Sequence, residues 1–240
     1  MNLQPTEAQY YSSIILLPWG FKVIFGMLVD NVRIFNSSRN VYLKISGVFM
    51  MLSLIILQLP GIQNKYVALT CLIVYNIFQA IADVVTDAIM VIWARKDPVH
   101  GSSDLQMLHV VCVGMGGVFA SILSSFANMY FHPYVILRGF WVSSIILSVL
   151  AFFIEEIKID QFASLSENLK LTIQHIRKRI VFCSLIFIFL SAAIIPSFEN
   201  IMYFWMINIL NYSKRTIAYF ELVAYFSASC GTFLYNTWLK

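Results

Sequence analysis

The stretch Tyr66–Arg95, YVALTCLIVYNIFQAIADVVTDAIMVIWAR, decides the fold. It is apolar almost throughout and too long for an ordinary soluble core helix, but long enough to cross a bilayer. Inside it stand Asp83 and Asp87. An isolated carboxylate deep in hydrocarbon costs about 2.5–3.5 kcal/mol even on a lenient insertion scale. Four residues apart on a helix, the two acids lie on one face, one turn from each other. Followed backwards, that face reaches Ala80 and Asn76, with Gln79 beside it. The other faces carry Ile, Val, Ala, Met and Phe. A polar stripe on a membrane helix needs either partners or water. Two readings follow: the acids pair with basic residues of neighbouring helices, or they line a path for a solute.

The segments on either side are of the same kind. Gln9–Leu28 is a span interrupted by Pro18 and Gly20 and carrying Lys22. A polar segment with Asp30, Arg33, Arg39 and Lys44 follows, then a span from Ile45 to Leu59 ending at Pro60-Gly61. After the organising helix come Arg95-Lys96-Asp97-Pro98 and a span from Leu105 to Met129. There Gly116/Ala120 and Gly117/Ser121 are small-residue pairs of the kind that let helix backbones approach closely. Ile136–Ile154 is a further span. Glu155–Arg179 is polar, but Phe162, Leu165, Leu169, Ile173 and Ile176 recur at three- and four-residue spacing, which fits either an amphipathic helix on the membrane surface ending in Arg177-Lys178-Arg179 or a solvated linker with no lipid role. Ile180–Leu210 reads as one long helix broken or kinked at Pro196, with Glu199 and Asn200 near the break. Thr216–Trp238 is the last span.

This gives about seven spans, an all-α polytopic membrane bundle. Composition agrees: 60% of the 240 residues are hydrophobic and only 12% are charged, against roughly 25% charged in an average soluble domain. The mean hydropathy is +0.78. The net charge of +4 is read as a topology signal rather than as a nucleic-acid surface. Twelve of the sixteen Lys and Arg fall on one side of the spans, which the positive-inside rule assigns to the cytoplasm. The four cysteines lie far apart in apolar runs, so no disulfide framework or metal site is expected. No cofactor is called for. The chain is expected to be an integral, multi-pass protein of a membrane the sequence does not identify.

An ordered set of residues adds to this. Pro18-Trp19, Lys22, Gly26 and Asp30 form PWxxKxxxGxxxD, followed by Arg39 and Tyr42. DVVTDA then carries Asp83 and Asp87, Ala94-Arg95 closes that helix, and Gly101 and Leu105-Gln106 open the next. Pro196, Met202-Tyr203-Phe204, Leu210, Gly231 and Tyr235 complete the set. Together these resemble the folate–biopterin transporter family of the major facilitator superfamily. The resemblance implies that the spans correspond to helices two to eight of a twelve-helix fold. Residues 1–154 would be an N-terminal half without its first helix, 155–179 the cytoplasmic linker, and 180–240 the first two helices of the second half. It also implies a conformational latch at Gly26, Asp30 and Arg39.

Function then divides three ways. The first reading is a secondary transporter of folates or pterins working by alternating access. Its candidate substrate or proton residues are Asp83, Asp87, Lys22, Asn76, Gln79, Gln106, Glu199 and Asn200. A carboxylate can accept the hydrogen bonds a pterin's amino group and ring N–H donate. In low dielectric it can also hold a coupling proton. Lys22 is expected to be a charge partner of one Asp or to meet an anionic substrate tail. The second reading is a truncated, non-transporting membrane paralogue or a gene-model fragment with a structural or partner-dependent role. The third, an intramembrane enzyme, is disfavoured. Asp83 and Asp87 share one helix, whereas an aspartyl dyad faces itself from two. The H-E-x-x-H and G-x-S-x-G patterns do not occur.

Overall fold

The structure is a computed structural model, and it describes residues 5–32, 34, 39–59, 64–98, 100–131, 133–154, 165–194 and 198–239. Arg33, Pro60-Gly61, the start of the polar segment with Phe162, and Pro196 lie outside the described residues. Among those described, the chain is a succession of helices. Five are long and apolar enough to cross a membrane, and two shorter apolar helices accompany them.

The first span is not a single α-helix. α1 (Pro5–Leu16) passes into a 3₁₀ turn, Leu17–Phe21, and then into α2 (Lys22–Asn31). Pro18 explains the change. It has no N–H for the helical ladder, and its ring crowds the carbonyl four residues back. The tighter turn changes the helical phase before Lys22, and the two helices together form one 26-residue span, Thr6–Asn31.

α3 (Asn40–Leu57) begins five residues before the expected apolar start at Ile45. Its first turn is held by polar contacts that apolarity alone does not reveal. Asn40 Nδ2 donates to the Ile154 carbonyl at 2.5 Å, and the Lys44 ammonium lies 4.4 Å from the centre of the Phe152 ring. α4 (Lys65–Ala94) is the expected organising helix, capped by Asn64, whose side chain accepts from Tyr66 N–H. α5 (Gly101–Tyr130) and α6 (Pro133–Phe153) follow. α7 (Leu165–Ile176) is exposed over its described side chains, 170–176, as a surface helix would be. The described parts of the 180–210 segment are α8 (Arg179–Ile194) and α9 (Glu199–Asn208), and the expected break at Pro196 lies outside the described residues. α10 (Lys214–Leu234) ends in a wider π-type turn, Tyr235–Leu239.

Two packing groups emerge. α3 packs on α4 and α6, with α2 against α4, while α5 makes its main contact with α10. The core of the first group joins Val29, Tyr42, Leu43, Ile81, Ala82, Val85 and Ala151. Tyr42 Oη donates to the Val32 carbonyl at 2.9 Å and ties the end of α2 to the start of α3. Phe49 and Phe78 stack with ring centres 4.5 Å apart.

Small residues set both close approaches. A methyl group on Gly47 would lie 3.0 Å from the Ser148 backbone of α6. In the second group Gly114 faces Ser229 and Gly117 lies against the Tyr225 ring, where an added Cβ would come within 2.5 Å. Of the two small-residue pairs seen in the sequence, Gly117/Ser121 is used in this contact. Gly116 and Ala120 are exposed on another face.

Gly47→Leu is therefore expected to separate α3 from α6 and cost about 1–3 kcal/mol, read as a lowered unfolding midpoint in detergent. Gly116→Leu on the open face serves as the control, with little change expected.

Candidate functional site

The polar stripe of α4 is divided between two environments. Lys22 of α2 donates to Asp83 and forms an ion pair with it. Both side chains are about one-third exposed, at 35% and 29%. Trp19, in the 3₁₀ turn, donates its Nε1–H to Asn76 Oδ1 at 3.0 Å. Asn76 in turn donates to the Leu72 carbonyl at 2.9 Å. The Lys22 ammonium lies 4.6 Å from the Trp19 ring centre, within cation–π range. Trp19, Lys22, Asn76 and Asp83 thus form a polar seam between the first span and α4. The pair neutralises a charge that would otherwise face hydrocarbon alone.

Asp87, one turn further on, is placed differently. It is exposed and makes no ion pair or hydrogen bond among the described residues. Its side chain lines a cavity of about 320 Å³ between α4 and α5. Met90, Val91 and Ala94 complete the α4 wall, and Ser102, Leu105, Gln106 and His109 form the α5 wall. Gly101 lets the two walls meet at one end. A Cβ there would sit 2.7 Å from the Ala94 carbonyl, so only glycine allows so tight a turn from α4 into α5.

A second, larger cavity of about 610 Å³ lies between α5 and α10, walled by residues such as Met115, Phe119, Phe226 and Phe233. Ser229 is the one hydroxyl among the described residues of its wall, and it already donates to the Tyr225 carbonyl at 2.9 Å. That space offers hydrocarbon contacts and no recognition, so the α4–α5 cavity is the candidate site.

The structure thus brings Asp87 and Gln106 to one cavity, and Lys22, Asn76 and Asp83 to a neighbouring seam. Gln79 is half-buried on α4 and makes no hydrogen bond among the described residues. Glu199 and Asn200 begin α9, and their side chains lie outside the described residues. Arg39 Nη2 donates to Asp30 Oδ1 at 2.8 Å, so two of the three latch candidates meet. Gly26 faces α4, where an added methyl would touch Val84 Cγ1 at an ordinary 3.6 Å. That contact does not itself demand glycine.

Ser102 and His109 were not among the residues the sequence singled out. A span beginning at Leu105 excludes Ser102 and holds His109 in its first turns. With the helix beginning at Gly101, positions 102, 106 and 109 follow helical spacing and share a face. The same periodicity places 87, 90, 91 and 94 together on α4.

Comparison with known proteins decides the affiliation. The family model described as the BT1 family matches residues 1–240. The chain belongs to the BT1 family. It is 30% identical over 129 residues to "Probable folate-biopterin transporter 4" of Arabidopsis thaliana, covering 53% of this chain and 26% of that protein. It is 24% identical over 240 residues to "Folate transporter 1" of Plasmodium falciparum (isolate 3D7), covering 98% and 47%. With the "Folate-biopterin transporter" of Synechocystis sp. (strain ATCC 27184 / PCC 6803 / Kazusa) it shares 23% over 243 residues, covering 100% and 49%. The full-length matches span about half of those relatives. No solved structure matches the chain. Family and fold together make this BT1 chain an integral, multi-pass membrane protein whose relatives named above are called transporters.

Removing one member of the Lys22–Asp83 pair leaves the other charge without its partner. Lys22→Ala is expected to destabilise the protein by about 1–3 kcal/mol, measured by thermal unfolding in detergent. Adding Asp83→Asn to it should recover most of that loss. A double variant less stable than the single one would show that the pair does not work this way.

Proposed function

We propose that the protein takes part in moving folate- or pterin-type solutes across a membrane by alternating access. In this reading the α4–α5 cavity engages the solute. Family membership supports the solute class, since relatives carry folate or folate-biopterin transporter names. The observation that carries the reading is the contrast between the two acids of α4. Asp83 is matched by Lys22, whereas Asp87 faces a solute-sized gap. A membrane helix gains nothing in stability from an unmatched carboxylate, so a role in binding accounts for it better than one in packing. The cavity volume lies at the small end of the roughly 300–1,000 Å³ span of small-molecule sites.

Substrate binding between helices that rock against one another requires contacts that can open. The Asp30–Arg39 pair suits such a contact. It joins the end of α2 to the start of α3, and Asp30 is exposed. The expected halves, 1–154 and 180–240 with a linker at 155–179, supply the moving parts in this proposal.

The test is uptake of labelled folate and biopterin by vesicles containing the protein. Asp87→Asn is expected to reduce uptake by about tenfold or more, the effect of removing one charged hydrogen-bonding group. Lys22→Ala/Asp83→Asn, which removes both charges together, should keep more of it than Lys22→Ala alone. Uptake undiminished in Asp87→Asn would remove the cavity from the mechanism. Solute binding without any uptake would favour the non-transporting reading.

A further inference from the structure

We infer that the α4–α5 cavity takes a pterin head-first, with the Asp87 carboxylate receiving the two adjacent N–H groups of the 2-amino-4-oxopyrimidine edge. This rests on the function proposed above and specifies which part of the solute the site reads.

The first argument is charge. Among the described residues of the cavity wall, Asp87 is the only Asp, Glu, Lys or Arg. The nearby cation, Lys22, is taken by Asp83. The described wall therefore sets one repelling group against an anionic tail and no lysine or arginine to attract it. A glutamate carboxylate is the wrong end of a folate for this space.

The second argument is hydrogen-bond chemistry. A carboxylate presents two acceptor oxygens side by side and pairs best with two parallel N–H donors. The exocyclic amino group and the neighbouring ring N–H of a 2-amino-4-oxopteridine form such a pair. Gln106 adds an amide that both donates and accepts, and Ser102 and His109 add a hydroxyl and an imidazole on the facing helix. These suit the remaining carbonyl and ring nitrogens. Met90, Val91 and Leu105 supply the apolar contact that the flat faces of the ring need.

The third argument is size. A cavity of about 320 Å³ holds a fused two-ring head with a short side chain. The longer aminobenzoyl-glutamate of a folate would have to remain outside it.

The experiment is equilibrium binding of labelled biopterin to the purified protein, with competition by two compounds. One is the 2-oxo counterpart of biopterin, in which a carbonyl replaces the amino group. The other is folate. The 2-oxo compound is expected to compete at least about tenfold more weakly than biopterin, because it sets an acceptor against an acceptor. Folate should compete for the same site and gain nothing from its tail. In Asp87→Asn, biopterin should weaken by about tenfold or more, and its advantage over the 2-oxo compound should shrink. Equal competition by the 2-oxo compound in the unaltered protein would overturn the inference, and that arm depends on no variant. So would a full preference surviving in Asp87→Asn. Failure of both biopterin and folate to bind at all would instead bring down the functional proposal itself.

Discussion

The ion pair between Lys22 and Asp83 is the interaction on which the rest depends. Either charge alone would be costly beside hydrocarbon, and together they make a contact specific in position. Trp19 and Asn76 extend it into a seam that fixes the first span against α4. The 3₁₀ turn at Pro18 matters here, because it sets the helical phase on which Lys22 meets its partner. With Asp83 satisfied, the polar stripe of α4 is no longer uniform. The next acid along it, Asp87, stands without a basic partner among the described residues and faces the gap beside α5.

That gap is itself a product of where the helices approach and where they do not. Gly47 brings α3 and α6 together, and Gly114 and Gly117 bring α5 to α10. α5 is thus committed to α10 and only lightly applied to α4. Gly101 pins the two helices at one end through a turn no other residue could make without moving the Ala94 carbonyl. By helix rise, Asp87 lies about 12 Å along the axis from Arg95. It is therefore inside the span yet within reach of that end of the cavity.

Much of the fold was legible because helix length and apolarity are properties of the sequence itself. The organising helix and the small-residue contact of α5 both follow from local patterns. The start of α3 was not, since Asn40 and Lys44 look like loop residues until Phe152 of α6 and Ile154 just beyond it stand beside them. The stripe of Asn76, Gln79, Asp83 and Asp87 was visible, but its division was not. Both acids share a face, and periodicity cannot say which one a lysine sixty residues earlier will reach. Ser102 was hidden for a different reason: it precedes Leu105 and joins the wall only because α5 begins at Gly101.

The central claim is that two acids one turn apart are chemically separate, one matched and one open. It is tested most directly by carbodiimide-activated amine labelling of the membrane-embedded protein, with each site read by peptide mass spectrometry. The account predicts that Asp87 is labelled while Asp83 is spared, and that Asp83 becomes reactive once Lys22 is replaced by Ala. Equal labelling of the two in the unaltered protein, or preferential labelling of Asp83, would contradict it.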